Sequence, residues 1–251
     1  MSAVPRRAAL PLALLLPAGG CVSHWSGAAW GDGFTAQLAA EDQLALESGL
    51  FAATVGFAFV DHRWQRESNE HQPITGGVTS RGDGTDAALA VGAVGLGLGE
   101  WIAGDEGHAG EVLLEGFLAT EGATELLKHT IDRRRPGNGT GKDSFPSGHT
   151  SFAFCMATFL QRRIADLAPD YAPYSYLLYL PAAYVGINRS EANRHWPTDV
   201  AFGAFLGVFL TNVVYDAHYG TPGHPGLFGV RGLTVEPEPE ADLGIDLVFR
   251  F

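Results

Sequence analysis

Apolar stretches of helical length alternate with polar, glycine-rich or proline-rich connections from residue 41 onward. Their periodicity predicts six helices, at about 42–60, 84–103, 108–130, 148–165, 173–188 and 197–217. Many of these segments are rich in alanine and glycine, whose small side chains let neighbouring helices approach closely. The pattern therefore predicts an all-α fold, a six-helix bundle over residues 41–220.

The pattern changes in the C-terminal extension, 221–251. After an acidic, proline-containing spacer at 236–240, apolar and polar residues alternate from Leu243 to Phe251. Alternation with a period of two is typical of a β-strand. We expect a short β-hairpin, 227–235 paired with 243–251, that packs on the helical domain.

The N-terminal segment has the pattern of an export signal. Arg6 and Arg7 precede an apolar run over 8–17, and small residues then lead to Cys21. This ending resembles the lipobox of bacterial lipoproteins, in which the cysteine is acylated and becomes the mature N-terminus. We expect a signal peptide over 1–20, lipidation at Cys21 and a linker over 21–40. The alternatives are an ordinary cleavage site or a short anchor helix.

Composition narrows the function classes. The chain has 251 residues and a net charge of -12, which disfavours nucleic acid as a partner. Two cysteines are too few for a disulfide framework or a four-thiolate zinc site. The longest charge-free windows in the predicted helices are interrupted or fall short of the roughly 20 apolar residues that cross a bilayer. We therefore expect an exported domain on the periplasmic face, lipid-anchored to the membrane; an integral six-span protein is the alternative.

The first segment that carries candidate chemistry is basic and ends the third predicted helix. Lys128 and Arg135 lie seven positions apart, so in a helix they share a face and could bind one anion. A solvated basic helix end, stabilised by the helix dipole, is the alternative. Because the chain is acidic overall, a local cluster of basic residues favours a site for a small anion.

The second segment, Ser144 to Ser151, leads into the fourth predicted helix. Ser147 and Gly148 stand where free backbone N–H groups point out of a helix N-terminus, an arrangement that binds phosphate. Simple N-capping by Ser147 or Thr150 is the alternative, and it leaves His149 unexplained.

The third segment opens the last predicted helix. His195 and Asp199 are four residues apart, a spacing at which a helical carboxylate can hold one imidazole nitrogen and leave the other nucleophilic. A capping pair and a metal-ligand pair are the alternatives. Neither of these explains Arg189 or the two preceding segments.

Together the three segments resemble the type-2 phosphatidic acid phosphatase superfamily, which also contains bacterial acid phosphatases and vanadium haloperoxidases. The resemblance covers about 128–199 and departs from the family pattern at Asn188, where serine is usual. The matching residues are Lys128, Arg135-Pro136, Pro146-Ser147-Gly148-His149, Arg189, His195 and Asp199.

The resemblance implies a role for each matching side chain. His195, oriented by Asp199, attacks phosphorus to form a phosphohistidine, and His149 protonates the leaving group. The phosphoryl oxygens are bound by Lys128, Arg135, Ser147, Gly148 and Arg189.

The resemblance further implies hydrolysis of phosphomonoesters or pyrophosphates without a metal or other cofactor, and inhibition by vanadate. We expect the substrate to be a phosphorylated envelope lipid or a small phosphoester. A vanadate-dependent haloperoxidase and a non-catalytic envelope lipoprotein with a vestigial site are the alternative functions.

Overall fold

The computed structural model describes residues 27–39, 41–71, 108–137 and 141–220. Within these ranges the chain is helical, which confirms the predicted all-α class. The helices are α1 (Gly27–Ala39), α2 (Glu41–Ala58), α3 (Asp61–His71), α4 (His108–Thr130), α5 (Gly148–Leu167), α6 (Ala172–Ser175), α7 (Tyr179–Glu191) and α8 (Pro197–Tyr219). The predicted signal peptide with Cys21, the helix at 84–103 and the C-terminal hairpin lie outside the described residues.

Two helices were not expected from the pattern. α1 occupies much of the predicted linker, where glycine and mixed polarity hide its helical character. α3 is almost entirely polar and follows α2 directly, so it has no apolar stripe by which to recognise it. The predicted helix over 173–188 was wrong as a single unit. It is divided into α6, a 3₁₀ turn and α7, and a proline lies in the first turn of each of the two helices.

α8 is the central helix of the bundle. α1, α2, α4, α5 and α7 all pack against it, and most of its residues are buried. In the described part of the chain, α8 is the single unbroken helix long and apolar enough to cross a bilayer, and 72% of its apolar stretch is buried inside the protein. A core helix of a soluble domain has the same properties, so this observation does not by itself place α8 in a membrane.

Glycines on α8 bring α5 into backbone contact with it. A Cβ atom at Gly203 would lie 2.7 Å from the Ser147 carbonyl oxygen, and one at Gly207 would overlap the Ser151 carbonyl oxygen. The absence of these side chains therefore allows the N-terminal turn of α5 to lie directly against the N-terminal half of α8.

Candidate active site

The three segments predicted to carry chemistry meet at one end of the bundle. The Ser147 backbone N–H donates to the Asp199 carbonyl oxygen at 3.0 Å, which joins the second segment to the third. A Cβ atom on Gly148 would lie 3.2 Å from Lys128 Nζ, so the first segment reaches the same place. Helix ends that are distant in sequence thus surround one small volume.

His195 lies inside this volume and is 2% exposed. Its Nδ1 lies 2.7 Å from the Ser144 carbonyl oxygen. Because a carbonyl can only accept, Nδ1 carries the proton and Nε2 carries the lone pair. The backbone of this segment is fixed as well, since the His195 N–H donates to the Arg189 carbonyl oxygen at 3.3 Å.

The environment keeps the His195 imidazole neutral. Burial is the main cause that lowers its pKa, to about 3, and the positive charges of Arg135, Arg189 and His149 lower it further. The hydrogen bond to Ser144 acts in the opposite direction and is outweighed. At neutral pH His195 therefore presents an unprotonated Nε2 in a positive potential, which is suited to attack on an anionic group.

Asp199 does not hold His195 in the predicted way. Its Oδ2 lies 4.0 Å from His195 Nδ1, beyond hydrogen-bond distance. The expected spacing rule requires a continuous helix, whereas α8 begins at Pro197, between the two residues. Ser144 stands between them instead. Its hydroxyl donates to Asp199 Oδ2 at 2.5 Å while its carbonyl oxygen accepts from His195.

The Asp199 carboxylate is completely buried and surrounded by donors. Arg133 Nη1 lies 2.5 Å from Oδ1, and the Trp196 backbone N–H donates to Oδ2 at 2.8 Å. Burial raises the pKa of Asp199 to about 6, and Arg133, Ser144 and Trp196 oppose the rise. The carboxylate thus depends on its neighbours to stay ionised.

Ser147 and Gly148 form the start of α5. Ser147 is fully buried at the N-cap position, but its side chain makes no capping hydrogen bond. Its Oγ accepts a hydrogen bond from Thr150 Oγ1 at 2.9 Å, which leaves the Ser147 hydroxyl proton available for donation. The Ser147 hydroxyl therefore does not cap α5, which was the alternative role for this serine.

The cationic side chains differ in their surroundings. Arg189 is buried, whereas the His149 side chain is exposed at the start of α5. Lys128 Nζ donates to Glu125 at 2.6 Å. Arg135 forms two hydrogen bonds with Asp143, from Nε at 3.1 Å and from Nη2 at 2.9 Å. Two of the predicted anion-binding groups are thus paired with carboxylates near the protein surface.

The sequence motifs did not indicate three further residues at this end of the bundle. Asp61, Arg133 and Ser144 connect α3, the basic segment and the loop before α5 to Asp199. Arg133 had a visible signal, because it lies within the basic run. Asp61 had none, since it begins a polar helix far from the motifs in sequence.

Comparison with known proteins agrees with this architecture. Residues 112–221 match the PAP2 superfamily. The chain is 35% identical over 100 residues to a lipid A 1-phosphatase of Porphyromonas gingivalis, a match that covers 40% of this chain and 22% of that protein. It is also 35% identical over 83 residues to a probable diacylglycerol pyrophosphate phosphatase 1 of Schizosaccharomyces pombe, covering 30% of each chain.

A solved structure has the same fold. It is the crystal structure of a transmembrane PAP2 type phosphatidylglycerolphosphate phosphatase from Bacillus subtilis, with a TM-score of 0.51 and 21% identity. The similarity covers 67% of this chain and 94% of that one. Residues 112–221 thus match the PAP2 superfamily in sequence, and the chain shares its fold with a PAP2 type phosphatase.

Proposed function

We propose that the protein is a metal-independent phosphatase that hydrolyses phosphomonoesters or pyrophosphates of membrane lipids. The observation that carries the proposal is the neutral, buried His195, whose Nε2 lone pair stands in the positive potential of Arg135, Arg189 and His149. Phosphoryl transfer requires mainly positioning and charge stabilisation from a protein. This end of the bundle supplies both.

In the first step, His195 Nε2 attacks phosphorus and the bond from phosphorus to the leaving oxygen breaks. His149 gives a proton to the leaving oxygen. The phosphorylated imidazole becomes positively charged, and its Nδ1–H donates to Ser144, whose hydroxyl is held by Asp199. In the second step, water attacks phosphorus, His149 removes its proton and His195 is released.

The phosphoryl oxygens are bound by side chains and by a helix N-terminus. Lys128, Arg135 and Arg189 provide positive charge, while the Ser147 hydroxyl and the Gly148 backbone N–H donate hydrogen bonds. Glu125 and Asp143 compete with the phosphoryl group for two of these cations. Binding of a phosphate dianion would displace these exposed carboxylates.

A lipid substrate is supported by two observations. The similar proteins from P. gingivalis and S. pombe carry names of phosphatases that act on lipids. In addition, large apolar side chains are exposed at helical spacing on outer faces of the bundle, including Leu44, Phe51 and Val55 on α2. Contiguous exposed apolar surface favours contact with a membrane.

We further propose that a lipid on Cys21 attaches the protein to the periplasmic face of the envelope. Replacement of Cys21 by serine should abolish lipid labelling and processing at that site. A truncated protein that begins at Val22, behind a cleavable secretion signal, should then be exported in soluble and active form. If it required detergent for extraction, the integral alternative would replace the anchor.

The activity is tested by phosphate release from purified protein. We would assay phosphatidic acid, diacylglycerol pyrophosphate, lipid A and a soluble phosphomonoester, each with and without EDTA. The proposal expects activity that survives EDTA and is inhibited by vanadate. Loss on chelation with recovery on adding magnesium would contradict metal independence. Bromide oxidation by peroxide in the vanadate-loaded protein would favour the haloperoxidase alternative.

A further inference from the structure

Arg133 joins two carboxylates at the candidate active site. Its Nη1 lies 2.5 Å from Asp199 Oδ1 and its Nη2 lies 2.6 Å from Asp61 Oδ2. Both carboxylates are buried, and the Arg133 guanidinium also lies over the Trp196 ring, 5.7 Å from its centre. A guanidinium with both ends occupied by carboxylates is a connecting group rather than a donor to substrate.

Asp61 anchors this connection to the start of α8. It accepts hydrogen bonds from the Thr198 backbone N–H at 3.0 Å and from the Thr198 hydroxyl at 2.6 Å. A carboxylate at a helix N-terminus is favoured by the free N–H groups and by the helix dipole. α3 therefore holds Arg133 against the first turn of the helix that carries Asp199.

From Asp199 the contacts continue to the candidate nucleophile. The carboxylate accepts from Ser144 Oγ, and the Ser144 carbonyl oxygen accepts from His195 Nδ1. If Asp199 became protonated, it would lose acceptor capacity for Ser144 and Trp196, and Ser144 would keep only its backbone N–H bond to the Arg133 carbonyl oxygen at 3.0 Å. Protonation of Asp199 would therefore weaken the support of the carbonyl oxygen that fixes the His195 tautomer.

We propose that Asp61 and Arg133 are positioning residues, which hold Asp199 and Ser144 so that His195 keeps its proton on Nδ1 and presents Nε2. This inference rests on the proposed function and extends the site to α3, outside the segment that matches the PAP2 superfamily. Neither residue touches substrate. They act through Asp199.

Arg133 and Asp61 have opposite charges, so a purely electrostatic role would give their variants opposite effects. A positioning role would lower kcat in both variants. The titratable and charged groups that face Asp199 are Arg133, Asp61 and the neutral His195. Arg133 lowers the pKa of Asp199, whereas Asp61 raises it. Arg133→Met should therefore move the acid limb of kcat to higher pH, and Asp61→Asn should move it to lower pH. A positioning role predicts that both variants nevertheless lose kcat.

The experiment compares these variants in the full chain with the wild type and a matched control. Arg134→Met removes the same charge from the neighbouring residue, whose side chain is exposed. We expect Arg133→Met to lower kcat about 100-fold with KM within about threefold, and Asp61→Asn to lower kcat about tenfold. Arg133→Lys should recover part of kcat, since one ammonium can keep the charge without bridging both carboxylates. Arg134→Met should match the wild type.

A second measurement does not depend on activity. Nitrogen-15 NMR of the His195 ring should show Nδ1 protonated in the wild type and in Arg134→Met, with that tautomer depleted in Arg133→Met. If Arg133→Met does not fold, Arg133→Lys and Asp61→Asn provide the same comparison. A wild type that released no phosphate would contradict the proposed function, and the NMR comparison would still decide the positioning role.

Three results would overturn this inference. Unchanged kcat and an unchanged His195 tautomer in Arg133→Met would show that Asp199 needs no such support. A higher KM with normal kcat would make Arg133 a substrate-binding group. An increase of kcat in Asp61→Asn would show that charge alone, and not position, controls Asp199.

Discussion

The two ends of α8 both contain buried ionic groups, but the groups are arranged differently. At the C-terminal end, Arg162 Nη2 lies 2.5 Å from Asp216, and the Arg162 guanidinium packs over Tyr215 at 4.5 Å. At the N-terminal end, Asp199 is paired with Arg133, yet Arg135, Arg189 and His149 add positive potential at His195. At one end a cation is paired with a carboxylate, whereas at the other several positive charges act together on the neutral His195.

This difference suggests that one end of α8 contributes mainly to stability and the other mainly to catalysis. A buried ion pair whose members satisfy each other keeps a packed bundle in one arrangement and is costly to break. Several positive charges that act on one small volume attract an anion to it. We therefore expect substitutions at the C-terminal end to affect folding, and those at the N-terminal end to affect turnover.

The largest expected effect is on turnover. His195→Ala removes the candidate nucleophile and should lower kcat by at least about 1000-fold, with little change in melting temperature. Rapid acid-free quench of the wild type with labelled substrate should trap a base-stable, acid-labile phosphohistidine that the variant lacks. His129→Ala, at an exposed histidine, is the control and should keep full activity. Retention of more than a few per cent of activity by His195→Ala would show that the nucleophile is another group.

The opposite result is expected at the C-terminal end of α8. Arg162→Met removes the cation that lies 2.5 Å from the buried Asp216 carboxylate and should lower the free energy of unfolding by about 3–5 kcal/mol. Below the melting temperature, kcat of the folded protein should remain normal. Lys142→Met breaks an exposed ion pair with Asp132 and should cost less than about 1 kcal/mol. Denaturation curves with assays on the same samples test this contrast, which fails if Arg162→Met lowers kcat as strongly as stability.

The pH dependence of the free energy of unfolding tests whether His195 is held neutral at the N-terminal end of α8. Because its pKa falls from an ordinary 6.5 to about 3 in the folded protein, the unfolded chain binds the proton first. Above pH 6.5 His195 is neutral in both states and does not reduce the free energy of unfolding. As the pH falls from 6.5 toward 3, protonation of the unfolded chain lowers the free energy of unfolding. Asp199 has the opposite effect, because its pKa rises from an ordinary 3.8 to about 6 in the folded protein. As the pH falls from 6 to 3.8, the folded state binds this proton first and becomes more stable.

His195→Gln isolates this contribution because Asp199 is common to both proteins. Between pH 6.5 and 4 the wild type should lose up to about 1.4 kcal/mol more stability per pH unit than the variant. Urea denaturation at several pH values measures the difference. Parallel pH dependence in the two proteins would contradict a lowered His195 pKa.

The motif residues at the N-terminal end of α8 could be identified from the sequence, whereas the ionic groups at the C-terminal end could not. The motif residues of the N-terminal end were identified because their spacing reflects shared chemistry, and the structure brings them together at one helix junction. Arg162 and Asp216 carry no such signal, since charged residues in apolar helices occur on solvated faces as well. Their pairing depends on how α5 crosses α8, which local patterns do not determine.

The contact between Asp199 and His195 shows a second limit. Both residues lie at the N-terminal end of α8, but the helix begins between them, so their geometry is set by the Ser144 loop and not by the four-residue spacing. Asp61 illustrates the same point at longer range. Its bond to Thr198 joins positions 137 residues apart and follows from the packing of α3, not from any periodicity.

The smallest expected effect concerns the surface carboxylate that pairs with Arg135. Asp143 accepts two hydrogen bonds from this guanidinium, although its side chain is 54% exposed. Burial alone would raise the pKa of Asp143, but the Arg135 contacts lower it below its ordinary value, so the carboxylate remains charged and competes with a phosphoryl group. The positive charge of Arg135 is thus partly offset by Asp143.

Asp143→Asn removes the competing charge and should lower KM about two- to fivefold, since exposed ion pairs contribute at most about 1 kcal/mol. kcat should stay within about twofold because Asp143 does not act on the reacting atoms. Asp132→Asn is the matched control, as its partner Lys142 lies outside the phosphoryl-binding residues. Steady-state kinetics at two salt concentrations should show the difference shrinking as salt screens the charges. A rise in KM would mean instead that Asp143 holds Arg135 in its binding position, and the masking interpretation would be wrong.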